Sequence, residues 1–251
     1  MLKKRIIARI DVKNEFVIKG IHLEGLRKVG NPHELAVSYY EAGIDEIIFM
    51  DAVASLYGRN NLFHIIEQAC RDVFVPITVG GGIRSLDDIE QALKSGADKV
   101  AINTQAVKTP QLVSEAARVF GSQCIVASIE ATRSGTSWEA YVDNGREHTG
   151  IDAIQWGTRL EELGAGEILV TSVDREGTRA GFDIELISRV CEHSGIPVIA
   201  CGGAGLSSHL TDLFDACPAD AVALASILHY NLTSVDLLKS DLVGRGVSVR
   251  Q

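Results

Sequence analysis

The feature that most constrains the fold of this chain is an internal repeat at about half its length. Residues 75–85 (VPITVGGGIRS) combine a proline, a short apolar run and three glycines, and residues 196–207 (IPVIACGGAGLS) repeat that order. Gly203 follows Gly82 by 121 positions. Three more pairs of segments recur 119 to 122 positions apart: 5–11 with 124–130, 45–51 with 166–172, and 98–103 with 220–225. Four matches at nearly one spacing indicate two homologous halves.

Both halves alternate short apolar runs with amphipathic stretches. Runs of strand length occur at about 5–11, 46–51, 76–80, 99–103, 123–129, 167–171, 197–201 and 221–225. Helical patterns lie between them, for example over 32–41 and 206–214. Eight strand–helix units with an internal half repeat predict an α/β fold, a single (β/α)8 TIM barrel over residues 1–251.

Composition narrows the functional classes. The formal net charge of −9 argues against a general nucleic-acid or anionic-membrane surface. The five cysteines include no Cys-x-x-Cys pair, which is typical of reduced thiols in the cytoplasm. No long apolar segment precedes the first predicted strand, so we expect a cytoplasmic protein without a membrane span. Neither a metal ion nor an organic cofactor is expected.

Two connections are too long for ordinary strand-to-helix turns. Residues 13–31 follow the first strand, and residues 132–149 follow the fifth, with an Asn144-Gly145 turn that predicts a small hairpin. Both leave the C-terminal ends of their strands, which is the face where barrel enzymes carry active sites and lids. On the same face, Ser85 is predicted to cap the helix that follows the three glycines.

Two carboxylates end repeat-related strands at this face. Asp11 ends the first strand and Glu130 the fifth, so the repeat places them on opposite sides of the barrel mouth. A facing pair can divide general acid and general base roles if its surroundings separate the two pKa values. The alternative is that both are solvated caps of the loops that follow them.

The glycine turns suggest anion binding. Backbone N–H groups at a glycine turn before a helix can hold a phosphate. The first-half set is Gly81, Gly82, Asn103 and Thr104, and its repeat partners are Gly202, Gly203, Ala225 and Ser226. Two such cradles predict a small-molecule substrate that is long, with a phosphate at each end and its reacting centre between the carboxylates. The alternative is that these are only close-packed turns.

Several motifs together resemble the cyclase subunit of imidazole glycerol phosphate synthase over nearly the whole chain. They are 4–7 (KRII), 11–13 (DVK), 19–20 (KG), 78–83 (TVGGGI), 96–100 (GADKV), 120–123 (FGSQ), 164–169 (GAGEIL) and 202–205 (GGAG). The resemblance implies an enzyme that condenses ammonia with a bisphosphorylated ribulosyl-formimino-carboxamide ribonucleotide. Its products are imidazole glycerol phosphate, for histidine biosynthesis, and an aminoimidazole carboxamide ribonucleotide.

The resemblance also implies roles for individual residues. It assigns acid–base catalysis to Asp11 and Glu130 and a place in a lid to Lys19. It implies a glutaminase subunit as heterodimer partner, which touches Asp98 and delivers ammonia through the barrel. The implied substrate- and phosphate-binding set is Lys19, Gly81, Gly82, Asn103, Thr104, Thr171, Glu176, Gly177, Gly202, Gly203, Ala225 and Ser226.

Charged residues also begin four of the predicted strands, at the opposite end of the barrel. They are Arg5, Glu46, Lys99 and Glu167. A surface ring of ion pairs with little effect on stability is one interpretation. The resemblance implies another, which is a charged gate at the entrance of the ammonia path.

Departures from the family pattern cluster at the mouth. The family has aspartate at positions 130 and 176, where this chain has Glu130 and Glu176, and a small uncharged residue at position 9, where it has Arg9. Three hypotheses therefore stand: the histidine-pathway cyclase, an ammonia-using paralogue that amidinates an activated surface-polysaccharide sugar, and a non-catalytic barrel that binds phosphorylated ligands or partners.

Arg9 leads to a specific expectation. Strand alternation points it into the barrel, one layer below Asp11, where a guanidinium without a partner is costly. The inward carboxylates are Asp11, Asp51 and Glu130, and we expect Arg9 to pair with Glu130 or Asp51. Asp11 would then be the likelier proton carrier of the two predicted catalytic residues.

Overall fold

A computed structural model of the chain describes residues 3–54 and 62–250. Eight parallel strands close a barrel in the order β1, β4, β5, β6, β7, β10, β11, β12, and β12 pairs again with β1. The predicted (β/α)8 barrel of two half-barrels is therefore confirmed. The strands are β1 Arg5–Lys13, β2 Phe16–Ile21, β3 Glu24–Gly30, β4 Glu46–Asp51, β5 Ile77–Gly80, β6 Lys99–Ile102, β7 Ile125–Ser134, β8 Ser137–Val142, β9 Glu147–Asp152, β10 Glu167–Ser172, β11 Val198–Cys201 and β12 Ala221–Leu224.

Helices in the described residues lie between the barrel strands and after the last one. They are α1 Pro32–Glu41, α2 Phe63–Ala69, α3 Leu86–Lys94, α4 Thr104–Lys108, α5 Gln111–Phe120, α6 Ala153–Glu162, α7 Ile184–Glu192, α8 Ser207–Ala216, α9 Ser226–His229 and α10 Val235–Gly244. Local capping explains several starts: the Asn31 side chain accepts bonds from the N–H groups of His33 and Glu34, and the Ser85 hydroxyl accepts one from Asp88. Within the described ranges, none of the helices is long and apolar enough to cross a membrane.

Alternation along the strands separates two apolar cores. On β1, Ile6 and Ile10 face the helices, whereas Ile7 points into the barrel. The interior cluster consists of Ile7, Ile48, Met50, Ala101, Val126, Leu169, Ile199, Cys201, Ala221 and Ala223. Charged layers lie at both ends of this interior, because the inward positions of β1 below and above Ile7 are Arg5 and Arg9.

Both long connections form antiparallel hairpins over the mouth. The predicted hairpin with the Asn144-Gly145 turn is present as β8 and β9, and β8 extends the sheet from β7. The first connection is also a hairpin, formed by β2 and β3, and we call residues 16–30 the lid hairpin. The His22 N–H donates to the Glu176 carbonyl at 2.8 Å, so the lid hairpin is docked on the loop after β10.

Candidate active site

Asp11 lies at the mouth among cations. Its carboxylate accepts from Arg9 Nε at 2.8 Å and from Lys19 Nζ at 3.4 Å, and the residue is 5% exposed. Burial alone would raise the pKa of Asp11, but the Arg9 and Lys19 charges outweigh it and lower the pKa to about 2. Asp11 is thus a fixed anion at neutral pH.

Glu130 lies on β7, four strands around the eight-stranded barrel from β1 and so on the opposite wall. Its Oε2 accepts from neutral donors, the Asn103 side-chain amide at 2.9 Å and the Gly145 N–H at 2.7 Å. Burial raises the pKa of Glu130 to about 7, against the opposing effects of Arg9 and the Gly145 N–H. Glu130 can therefore exchange a proton near neutral pH, and the two predicted catalytic carboxyls have different charge states.

The expected partner of Arg9 is corrected by the structure. Arg9 does point into the barrel, where it is 1% exposed, but its Nε bonds Asp11 rather than Glu130 or Asp51. Its Nη1 donates to Thr171 Oγ1 at 2.9 Å and lies 3.5 Å from Cys201 Sγ. Because Asp11 is two positions further along the same strand, the side chain reaches it by running up the barrel wall. The pairing leaves Glu130, not Asp11, with a pKa near neutrality.

Lys19 extends the network of charges from the barrel into the lid hairpin. It is 3% exposed and forms ion pairs with Asp11 and with Glu176, itself 3% exposed. Burial lowers the pKa of Lys19 despite the attraction of Asp11. With the lid hairpin in this position, the Lys19 ammonium bonds carboxylates of the protein, although it was predicted to contact substrate.

The first-half cradle forms an open pocket beside Glu130. Its lining includes Gly81, Gly82, Asn103, Thr104 and Glu130. Gly81 has φ +86°, and a Cβ there would collide with the backbone of Asp51, so the turn needs glycine. The predicted first-half residues are thus brought together, and Arg84 and Lys108 add positive charge to the same pocket.

The second-half cradle lies partly beneath the lid hairpin. A separate pocket is lined by Lys19, Gly177 and Ser226, together with Arg27, Arg179 and Tyr230. Five predicted residues do not line it: Thr171, Glu176, Gly202, Gly203 and Ala225. The Thr171 hydroxyl accepts from Arg9, and Gly202 sits against the Ser172 carbonyl as Gly81 does against Asp51. The backbone geometry therefore repeats, but access differs between the cradles.

The four charged residues at the bottom of the barrel form a closed ring. Arg5 bonds Glu46 at 2.9 Å and Glu167 at 2.5 Å, and Lys99 bonds the same two carboxylates at 3.2 and 2.9 Å. Burial would raise the pKa of Glu46, but Arg5 and Lys99 lower it. The ring residues are largely buried rather than solvated. We therefore expect that removing one of them lowers the free energy of unfolding by more than the loss of a surface ion pair does.

Asp98, the predicted partner contact, is exposed beside the ring. Its carboxylate accepts from the Ile77 N–H at 2.8 Å, which ties β6 to β5. Asp220 makes the same bond to Val198, and Asp45 makes it to Ile6. The residue thus has a structural role that repeats around the barrel, and its contact with a partner stays a prediction.

Sequence reasoning missed residues that the hairpins bring to the mouth. Gly145 was predicted only as a turn residue, yet its N–H bonds Glu130, and the Tyr141 carbonyl accepts from Asn103. The position of the Asn144-Gly145 turn after the Glu130 strand was the signal available. Arg27 and Arg179 carried no comparable signal. Among the described residues, no cluster of three or more His, Cys, Asp or Glu could hold a metal ion.

Comparison with known proteins shows similarity over nearly the full chain. Residues 5–234 match the histidine biosynthesis protein family. A protein of Legionella pneumophila is 61% identical over 206 residues, covering 82% of this chain and 97% of its own length. Relatives from Methanopyrus kandleri and Streptococcus mutans are 47% and 45% identical, and each alignment covers all of this chain and 99% or more of the relative. All three carry the name imidazole glycerol phosphate synthase subunit HisF.

Proposed function

This chain belongs to the histidine biosynthesis protein family, and we propose that it is the ammonia-dependent cyclase subunit of an imidazole glycerol phosphate synthase. The observation that carries the proposal is the pair of buried carboxyls on opposite walls of the mouth, one a fixed anion and the other able to exchange a proton. The comparisons give no support to the sugar-amidinating or non-catalytic alternatives. The substrate is the bisphosphorylated ribonucleotide named above.

The two carboxyls take different parts in the reaction. Attack of ammonia on a carbonyl carbon needs a proton for the oxygen and removes one from the nitrogen. Glu130, with a pKa of about 7, exists in both protonation states near neutral pH and is the proton donor and acceptor. Asp11 stays ionised and stabilises positive charge that develops on the attacking nitrogen.

The two cradles hold the phosphate ends of the substrate. Gly82 and Asn103 mark the first site and Gly203 and Ser226 the second, with backbone N–H groups as the main donors. The reacting centre of the bound substrate then lies between Asp11 and Glu130. The lid hairpin must open for entry on the second side, because its Lys19 is paired with Glu176 on the loop after β10.

Ammonia enters from the bottom of the barrel. The ring of Arg5, Glu46, Lys99 and Glu167 is the gate, and a glutaminase subunit docks around it, with Asp98 at the contact. The name shared by the relatives, which is that of a synthase subunit, supports a partner of this kind. Ammonium in solution replaces that partner in vitro.

The test is turnover of the bisphosphorylated ribonucleotide by the purified chain with ammonium at alkaline pH. We expect imidazole glycerol phosphate and the carboxamide ribonucleotide in equal amounts, detected by mass spectrometry. Glutamine is expected to support turnover only after a cognate glutaminase is added. Absence of both products with either nitrogen source would reject the proposed function.

A further inference from the structure

Arg9 is a fully buried cation that extends across the barrel interior. It starts on β1 and reaches Thr171 on β10 and Cys201 on β11, three and two strands away around the wall. The interior of an eight-stranded barrel is just wide enough for side chains or one small ligand. The guanidinium therefore occupies the interior beneath the mouth, and its position is fixed from both sides.

The repeat shows what Arg9 changes. Ser128 stands 119 positions after Arg9, just as Glu130 stands 119 positions after Asp11. Arg9 gives Asp11 a charged donor at 2.8 Å from the same strand. Ser128 gives Glu130 no charge, and in the described residues the partners of Glu130 are a side-chain amide and a backbone N–H. The carboxylates occupy related positions, but only one lies in contact with a cation.

We propose that Arg9 is a positioning residue that keeps Asp11 ionised and oriented, so that Glu130 is the only member of the pair that transfers protons. This inference deepens the proposed function, since it rests on proton transfer at that site. Thr171, which pairs in register with Glu130, holds the far end of the guanidinium, while Nε stays bonded to Asp11. Without Arg9, burial would raise the pKa of Asp11 towards that of Glu130, and Asp11 could then exchange protons as well.

Carboxyl NMR tests the proposal without depending on turnover. The chain is labelled with 13C at the Asp and Glu carboxyls, and the two resonances are assigned from the missing signals in Asp11→Asn and Glu130→Gln. Between pH 9 and pH 4 the wild-type Asp11 signal should not shift, whereas that of Glu130 should titrate. In Arg9→Gln we expect the midpoint of the Asp11 titration to rise by about 2 pH units or more, into the range between pH 4 and pH 9.

Three further variants separate positioning from simple packing. Arg9→Lys keeps the charge and should keep Asp11 ionised throughout the titration. Lys19→Gln removes the more distant cation and should move the midpoint of Asp11 less than Arg9→Gln does. Arg133→Gln makes the same chemical change at an exposed Arg133–Glu185 pair and should move neither signal. If Arg9→Gln does not fold, Arg9→Lys and Lys19→Gln still test the proposal, because each keeps a cation beside Asp11 and should leave Asp11 ionised at neutral pH.

An Asp11 signal that titrates near neutral pH in the wild type would overturn the proposal. So would an Asp11 signal that remains unshifted down to pH 4 in folded Arg9→Gln, or one that titrates above pH 4 in Arg9→Lys. The pH–rate profile with ammonium supplies a second readout: one ionisation near pH 7 is expected in the wild type and a second in Arg9→Gln. No turnover with an intact NMR result would reject the proposed function but retain the role of Arg9.

Discussion

The two half-barrels have the same backbone at the mouth but different chemistry. Asp11 and Glu130 occupy related positions on β1 and β7, and Gly81 and Gly202 make the same close approach to the end of a neighbouring strand. What differs is the neighbours: two cations contact Asp11, and neutral donors contact Glu130. The repeat therefore determines the positions of the functional groups, whereas neighbouring residues that differ between the halves determine their charge.

At the bottom of the barrel, in contrast, two repeat-related carboxylates have the same cation partners. Glu46 and Glu167 are 121 positions apart, and each bonds the same two cations, Arg5 and Lys99. Both cations come from the first half, since their repeat partners are Cys124 and Ala221. Here the repeat-related carboxylates share their two nearest cations, although Arg250 also lies 3.8 Å from Glu46, and we expect them to behave alike. The two ends of one interior thus provide an asymmetric pair and a symmetric pair.

The largest expected effect tests the asymmetric pair. Glu130→Gln removes the exchangeable proton but keeps a side chain of similar size, so turnover with ammonium should fall about 10²- to 10⁴-fold. Steady-state rates at pH 8 measure this. Glu185→Gln is the matched control, because Glu185 is an exposed residue of α7, and its rate should equal that of the wild type. A tenfold loss or less in Glu130→Gln would place proton transfer elsewhere.

The symmetric pair should respond symmetrically. Glu46→Gln or Glu167→Gln leaves Arg5 and Lys99 with one carboxylate between them, and each should lower the free energy of unfolding by about 3–5 kcal/mol. Urea unfolding at pH 7.5 measures both. Losses below about 1 kcal/mol would mean that the ring behaves as a surface ion-pair network. A large loss for only one of the two would contradict their equivalence.

How well the sequence predicted these features depends on whether they are periodic. Strand runs and the half repeat predicted all eight barrel strands, and parity correctly pointed Arg9 inward. Parity could not select among three inward carboxylates, because selection depends on where a long side chain bends. The lid hairpin was missed since His22 and Leu23, both with positive φ, form its turn without the Asn-Gly signal that marks the other hairpin. The charge states of Asp11 and Glu130 were not predicted either, because they too depend on which carboxylate the long Arg9 side chain reaches.

A pH series tests the environment of Glu130 through stability. The folded state raises the pKa of Glu130 from 4.5 to about 7, so the stability it contributes is complete below pH 4.5 and is lost as the pH rises through 7. Glu130→Gln is neutral throughout. Its free energy of unfolding relative to the wild type should therefore increase by about 2–3 kcal/mol between pH 5 and pH 8.

Using the difference between variant and wild type in that series removes the contribution of other groups. Burial lowers the pKa of His229 to about 4, and its stabilising effect is lost as the pH falls from 6.5 to 4, a change of the opposite sign. Asp11 acts in a separate window, because its lowered pKa removes stability only as the pH falls from 3.8 towards 2. A flat difference between Glu130→Gln and the wild type would mean that Glu130 is ionised in the folded state.

The smallest expected effect compares the helices that follow the two glycine turns. Ser85 caps α3 with its hydroxyl, which accepts from the Asp88 N–H, whereas the repeat places Leu206 at the cap of α8 without a side-chain bond. The cap backbones are alike, with φ −146° and ψ 168° at Ser85 and φ −138° and ψ 155° at Leu206. Leu206 is 61% exposed, so replacing it removes little buried apolar surface.

Ser85→Ala should lower the free energy of unfolding by about 1 kcal/mol, and Leu206→Ser should raise it by up to about 1 kcal/mol. Urea unfolding of both variants and the wild type measures this. Destabilisation by Leu206→Ser would show that the two turns, despite matching backbones, are not interchangeable at their caps.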